Sequence, residues 1–120
     1  MTEQKYGPNT AEVERLLAVL RTATPEDQRA CNQACARVPD DVWYRSMKRA
    51  TDVCRDVAEP RHDEWAAVCD AFNPEVVPFM GVYVDAAWAL MVRDQIDPDD
   101  FETLVGPVAA VFGRCWEEEA

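Results

Sequence analysis

The chain has 120 residues, of which 48% are apolar and 29% charged, and its formal net charge is −11. A chain of this size forms one domain, and its composition excludes both a disordered chain and a membrane protein. The strong negative charge repels phosphate groups, so direct binding to nucleic acid is not expected.

Helical signals begin close to the N-terminus. Residues 1–8 offer only Tyr6 as an apolar anchor, so we expect a flexible arm in front of a helical domain over 9–116. Asn9 and Glu12 have the spacing of a capping box and predict a first helix over 10–22. Its apolar side chains recur at helical spacing, at Val13, Leu16, Leu17 and Leu20.

Prolines and acidic residues mark the starts of the next helices. Thr24 as N-cap in front of Pro25 predicts a second helix to about residue 37. Asp40 and Asp41 predict a third helix to about residue 58, and a fourth is expected over 61–72. The apolar stripe of the third helix contains Trp43, Met47, Ala50, Cys54 and Val57.

The segment 76–84 fits either a short strand or a helix, since it is rich in β-branched and aromatic residues. A lone strand would have no pairing partner, which favours a helix that begins between Pro78 and Asp85. This helix is apolar on almost every side, and we expect it to be the most buried element. Asp85 is then either a helix cap, which is the favoured interpretation, or a buried carboxylate.

The C-terminal part repeats the start signal. Asp97 as cap and Pro98 at the first position predict a short helix that ends at Gly106–Pro107. A last helical segment then leads to an acidic tail over 117–120. The expected architecture is an all-α, single-domain bundle of five to six helices joined by short loops.

One segment resembles a known group of proteins. Residues 84–113, "VDAAWALMVRDQIDPDDFETLVGPVAAVFG", combine an Ala-rich helix, a "VRD" turn, an acidic helix start and a Gly-Pro pair. This segment resembles uncharacterised, Ala/Trp-rich helical proteins from actinobacteria and their phages, although the upstream part has few Ala/Trp repeats. The resemblance implies a helical structure and an origin, but no activity.

The five cysteines raise the question of a metal or redox site. Cys31 and Cys35 share one face of a helix and would need two further ligands to bind zinc. They also form an apolar stripe with Ala34 and Val38, and the other three cysteines lie on apolar stripes of their own segments. Core packing is therefore the favoured interpretation for all five, with a metal- or redox-responsive module as the alternative. The odd number of cysteines and the lack of a secretory leader predict reduced thiols in the cytoplasm.

Catalytic chemistry has little support in the sequence. His62 is the only imidazole, and no phosphate-binding loop, dinucleotide motif or nucleophile motif is present. The acidic pairs at 40–41 and 99–100 are expected to favour helix starts. We therefore expect no enzyme, no catalytic residue, no metal ligand and no cofactor.

Two sets of charged residues are candidates for an interaction site. Residues 1–58 have no net charge, whereas residues 59–120 carry three basic against fourteen acidic side chains. The basic set on the third helix is a solvated, salt-bridged face or a contact for an acidic partner or for the acidic half of the chain. The basic set comprises Arg45, Lys48, Arg49 and Arg55, and the acidic set comprises Asp94, Asp97, Asp99, Asp100 and Glu102.

The leading functional hypothesis is a small acidic cytoplasmic protein that binds another protein. A phage or mobile-element factor that acts on a host protein is one form of it. The alternative is a nucleic-acid mimic whose acidic set occupies a DNA-binding protein. A homodimer is compatible with both hypotheses, and no membrane contact is expected.

Overall fold

The computed structural model describes residues 4–55, 61–72 and 81–117, and within these ranges the protein is all-helical, without a strand. This confirms the predicted single-domain helical bundle. None of the described helices is both long and apolar enough to cross a membrane. The elements are a 3-10 turn Gly7–Asn9 and the helices α1 Thr10–Leu20, α2 Pro25–Ala36, α3 Asp40–Arg55, α4 His62–Ala71, α5 Val82–Met91 and α6 Pro98–Phe112.

Helices α5 and α6 form the centre of the bundle. They pack against each other, α1 and α4 lie mainly against α5, and α2 and α3 lie mainly against α6. Seven of the ten residues of α5 are buried, which confirms that it is the most buried element. Three of these are alanines, whose small side chains let the surrounding helices approach closely.

The start of α2 confirms the predicted cap. The hydroxyl oxygen of Thr24 accepts a hydrogen bond from the backbone N–H of Asp27 at 3.1 Å. The Asp27 carboxylate in turn accepts from the backbone N–H of Thr24 at 3.0 Å, and Pro25 occupies the first helical position. These reciprocal bonds satisfy two backbone donors that the helix leaves free.

The capping box predicted at the start of α1 does not form. Asn9 is the N-cap residue, but its side chain makes no cap hydrogen bond. Its amide instead donates to the carbonyl of Met91 at 3.4 Å and to Asp94 at 3.2 Å. Glu12 binds Arg93 at 2.7 Å. Both side chains therefore contact residues more than 80 positions away in the chain instead of forming the local cap.

The N-terminal arm is packed on the bundle from Tyr6 onward. Tyr6 is 5% exposed and Gly7 is also buried, where the sequence predicted a flexible arm over 1–8. The hydroxyl oxygen of Thr10 accepts from the backbone N–H of Tyr6 at 3.1 Å and its O–H donates to the Gly7 carbonyl at 2.6 Å. Tyr6 is thus the anchor that the sequence indicated, and the turn at Gly7 belongs to the domain.

Helix α6 runs through the Gly106–Pro107 pair, so the prediction of a short helix that ends there is wrong. Pro107 lacks an N–H for the carbonyl of Thr103, which costs a helix interior about 3 kcal/mol. Pro107 is itself buried, as are its helix neighbours Leu104 and Val108. Burial of this apolar face offsets the lost hydrogen bond and keeps the helix continuous to Phe112.

The start of α5 lies within the predicted interval. Its first helical residue is Val82, directly after Gly81. The helix interpretation is thus confirmed for 82–84, while 76–80 lies outside the described residues. The predicted end of the third helix near 58 also lies outside them, as do Val57 and most of the acidic tail.

Candidate interaction surface

Helix α3 presents one apolar and one charged side. Ser46, Ala50, Val53 and Cys54 are buried toward the core. The outward side carries Tyr44, Arg45, Lys48 and Arg55, all of them exposed. We refer to these four residues as the α3 face. Intervals of four and seven residues keep Tyr44, Lys48 and Arg55 on one side of a helix.

Tyr44 distinguishes the α3 face from the rest of the surface. Its side chain is 71% exposed and it is the only large hydrophobic residue in the described ranges that is exposed. A single exposed aromatic residue is common on protein surfaces. Here, however, it lies between the exposed carboxylates Asp40 and Asp41, one turn earlier, and the exposed Lys48, one turn later. Tyrosine is among the residue types enriched at the energetic centres of protein interfaces.

The four basic residues of the predicted set have different environments. Lys48 pairs with Asp52 at 2.7 Å, one turn along the same helix. Arg49 binds Asp100 at 2.9 Å, so this residue contacts the acidic half of the chain, which was one of the alternatives for the basic set. Among the residues that the structure describes, neither Arg45 nor Arg55 has an ion-pair partner. Both side chains are exposed.

Asp100 is a buried residue and part of a polar cluster between α3 and α6. It is 3% exposed, accepts a hydrogen bond from the Ser46 hydroxyl at 2.9 Å and binds the Arg49 guanidinium. Asp100 lies in the first turn of α6, as predicted for a helix start. Its burial contradicts its assignment to an acidic interaction site. Since Ser46 is also buried, α3 supplies the partners that make burial of this carboxylate tolerable.

The other members of the acidic set do not share one partner or one role. Asp94 binds Arg61 at 2.9 Å. Burial would raise the pKa of Asp94, but the hydrogen bonds and the charge of Arg61 outweigh it and lower that pKa. Asp97 lies 3.7 Å from Arg49, and Asp99 is exposed. Glu102 also has an arginine partner. Most of these charges are thus compensated inside the protein.

The three arginines of the acidic half all bind carboxylates of the protein itself. Each contacts two acidic side chains, and Arg61 is 10% exposed. The arginines of this half therefore form ion pairs within the protein, whereas Arg45 and Arg55 of α3 have no ion pair with a described residue. The pairs are Arg61 with Glu64 and Asp94, Arg93 with Glu12 and Glu117, and Arg114 with Glu102 and Glu117.

The cysteines follow the packing interpretation only in part. Cys31 and Cys54 are buried, Cys35 and Cys115 are half-buried, and Cys69 is exposed, so the prediction that all five are core residues is wrong for Cys69. All five are free thiols. Burial raises the pKa of Cys31, and it raises that of Cys54 to about 11, which keeps both thiols protonated and unreactive at neutral pH.

No group of three or more His, Cys, Asp or Glu side chains within the described ranges is arranged to hold a metal ion. Cys31 instead lies next to the hydroxyl of Tyr83 in the core, and its pKa is raised first by burial. His62 is exposed, with its ring centroid 5.7 Å from that of Trp65. Its position at the start of α4 matches the predicted one.

Asp85 is not the helix cap that the sequence favoured. Gly81 is the N-cap of α5, and Asp85 lies in the first helical turn, where its backbone N–H donates to the Gly81 carbonyl at 3.1 Å. The carboxylate is half-buried and has no hydrogen bond or ion pair with a described residue. Burial raises the pKa of Asp85 to about 6. The charged form is therefore disfavoured by folding.

Replacement of Asp85 by asparagine is expected to stabilise the protein at neutral pH by about 1–2 kcal/mol, after allowance for partial exposure. The pKa of Asp85 in the folded protein lies above its usual value of 3.8. At low pH the carboxyl group is protonated, so its burial does not lower the free energy of unfolding. As the pH rises from about 4 through about 6, Asp85 ionises and the wild type becomes less stable than Asp85→Asn. Urea unfolding at a series of pH values measures the difference, and a pH-independent difference between the two proteins would contradict the assignment.

Tyr44 is an exposed aromatic residue that the sequence pattern did not single out as a candidate. The predicted apolar stripe of the third helix leaves Tyr44 on the opposite side, so the helical period alone was sufficient to find it. Comparison with known proteins adds no further candidate. No protein-family model matches the chain, and neither a curated protein nor a solved structure is significantly similar to it.

Proposed function

We propose that this protein is a small, non-catalytic binding protein that docks on another protein through the α3 face. The observation that carries the proposal is Tyr44, a 71% exposed aromatic side chain on a helix that also presents Arg45, Lys48 and Arg55 to solvent. The opposite side of the helix is anchored in the core by Ala50 and Cys54. A rigid helix that displays aromatic and basic side chains loses little conformational entropy when it binds.

Several further features support a binding role. The thiols of the core are unreactive and Asp100 is compensated by Ser46 and Arg49, so these groups have structural roles. The resemblance of residues 84–113 to helical proteins of actinobacteria and their phages suggests that the bound protein belongs to a bacterial host. We place the interaction in the cytoplasm as part of the same proposal.

Affinity capture with matched variants tests this function. The full-length protein is immobilised, exposed to a lysate of the cell in which it is made, and the bound proteins are quantified by mass spectrometry. We expect at least one protein to be captured about 30-fold less by Tyr44→Ala, because truncation of a central aromatic residue costs about 2 kcal/mol.

The matched control is Arg21→Ala, since Arg21 is exposed and lies at the end of α1. It should capture the same proteins as the wild type. Unchanged unfolding temperatures would establish that both variants are folded. If Tyr44→Ala retains every captured protein at the level of the wild type, the α3 face is not the binding site and the proposal is wrong.

A further inference from the structure

We infer that the groove between α2 and α6 is a binding site for a compact, neutral molecule that carries one N–H or O–H donor on an apolar body. The groove has a volume of about 280 Å³, which suits a ligand smaller than a typical drug. It shares no residue with the α3 face, so this site is separate from the proposed function. Its apolar lining consists of small side chains and a proline ring, at Ala34, Val38, Pro107 and Ala110.

A backbone acceptor of α6 determines the hydrogen-bonding chemistry of the ligand. In a regular helix the carbonyl of Thr103 accepts from the N–H of residue 107, but Pro107 has no N–H. The Thr103 hydroxyl is itself engaged, because it donates to the Asp99 carbonyl at 2.9 Å. The Thr103 carbonyl is therefore an acceptor that a donor group of a ligand can satisfy.

Gly106 leaves this acceptor accessible from the groove. Thr103, Gly106 and Pro107 all line the groove, at intervals of three and four residues that place them on one side of α6. A helical carbonyl points along the axis toward the residue four positions later, so the Thr103 carbonyl lies on this same side. Gly106 has no side chain to cover it. Apart from the chain neighbours of Gly106 and the adjoining helix backbone, no atom lies within 4 Å of an added Cβ.

The charges around the groove favour a neutral ligand. The described residues that line it include one cation, Arg37, and one anion, Glu102, so the lining has no net charge. Glu102 is bound to Arg114 at 3.1 Å and offers little to a cationic ligand. The net charge of −11 of the whole protein opposes an anionic one. A neutral molecule with one donor matches the apolar walls and the Thr103 carbonyl without burial of an unpaired charge.

Indole is a suitable probe, because it is compact, neutral and apolar and carries one N–H. The full-length, isotope-labelled protein is titrated with indole and followed by its amide NMR spectra. We expect progressive shifts of the signals from the groove, with that of Gly106 among the largest. N-methylindole keeps the ring but has no N–H, and it should bind about fivefold more weakly because one hydrogen bond to the protein is lost.

A side chain at position 106 is expected to block the site. Because an added Cβ there meets open space, Gly106→Leu should fold and gain helix propensity. Its side chain would occupy the groove and weaken indole binding at least about tenfold. The matched control is Ala18→Leu, which adds the same side chain at an exposed position of α1 and should bind indole as the wild type does. Thermal unfolding establishes that both variants are folded.

Replacement of Pro107 separates the hydrogen bond from the shape of the groove. Pro107→Ala supplies the N–H that the proline lacks, so the helix itself would satisfy the Thr103 carbonyl. We expect indole and N-methylindole to bind this variant with nearly equal affinity. Comparison of the two probes cancels any change in groove shape that affects both of them.

An absence of shifts with about 5 mM indole would overturn the inference. Equal binding of the two probes by the wild type, or undiminished binding by Gly106→Leu, would overturn it as well. Tyr44→Ala should bind indole as the wild type does, because Tyr44 does not line the groove. The capture experiment tests only the α3 face, so each of the two proposals can fail while the other stands.

Discussion

Replacement of Asp100 by alanine is expected to lower the free energy of unfolding by about 3 kcal/mol. Asp100 is 3% exposed and joins α6 to α3 through Ser46 and Arg49, both at 2.9 Å. Its removal leaves the buried Ser46 hydroxyl without its acceptor and Arg49 without its main partner, and breaking a buried pair costs about 3–5 kcal/mol. Because Arg49 is half-exposed and regains water, the lower end of this range applies. Urea unfolding measures the loss.

Asp99 provides the matched control for this experiment. It is the neighbouring acidic residue in the same helix turn, but it is exposed and has no described ion pair. Asp99→Ala should change the unfolding free energy by about 0.5 kcal/mol or less. A double-mutant cycle with Ser46→Ala should show a coupling of about 1 kcal/mol. Equal effects of Asp99→Ala and Asp100→Ala would contradict the structural role of the cluster.

Replacement of Gly7 by alanine is expected to destabilise the protein by a similar amount, about 3 kcal/mol. Gly7 has a φ of +81°, which costs an L-residue about 1–2 kcal/mol. An added Cβ would also overlap Nη2 of Arg61 and lie 2.9 Å from both carboxylate oxygens of Glu64. Arg61 has little room to move, because it is 10% exposed and held by Glu64 and Asp94. Overpacking of this kind adds about 1–3 kcal/mol.

Gly113 separates the two contributions. It also has a positive φ, +69°, but no atom lies within 4 Å of an added Cβ. Its ψ of −168° lies in a region that is almost restricted to glycine, so Gly113→Ala should show a purely conformational cost of about 1–3 kcal/mol. Thermal unfolding measures the cost of each variant. A cost of only about 1–2 kcal/mol for Gly7→Ala would equal the backbone contribution alone and would contradict the close approach of the N-terminal turn to α4.

Arg61 also explains how the N-terminus joins the bundle. Arg61 lies at the start of α4 and connects it to Asp94, just after α5, directly beneath Gly7. A side chain at position 7 would separate these elements. The contact therefore requires a glycine at position 7. This requirement could not be predicted from the sequence, because Gly7, Arg61 and Asp94 lie far apart in the chain.

The sequence located the basic residues of the third helix but did not reveal which of them have partners within the protein. The basic residues of the third helix were identified from their spacing, and Arg45, Lys48 and Arg55 are exposed as expected. Arg49 has the same charge and lies on the same helix, yet it binds Asp100. Residue type and helical period do not determine which of several arginines faces a distant carboxylate.

The sequence by itself determined the helical fold, the start of α2 and the burial of α5. These features depend on interactions within one or two helical turns, such as the Thr24–Asp27 cap, or on apolar content that no local partner can change. Such features can be predicted from the local sequence, since the interacting groups are only three or four residues apart.

Only the tertiary structure decided which polar side chains turn inward. The Asn9 side chain donates hydrogen bonds to Met91 and Asp94 instead of capping α1. Asp100 is buried against Ser46, 54 residues away in the chain. Pro107 stays within α6 because the surrounding helices bury it. In each case the free energy of a long-range contact exceeds that of the local preference, and long-range contacts are defined only when the helices have packed.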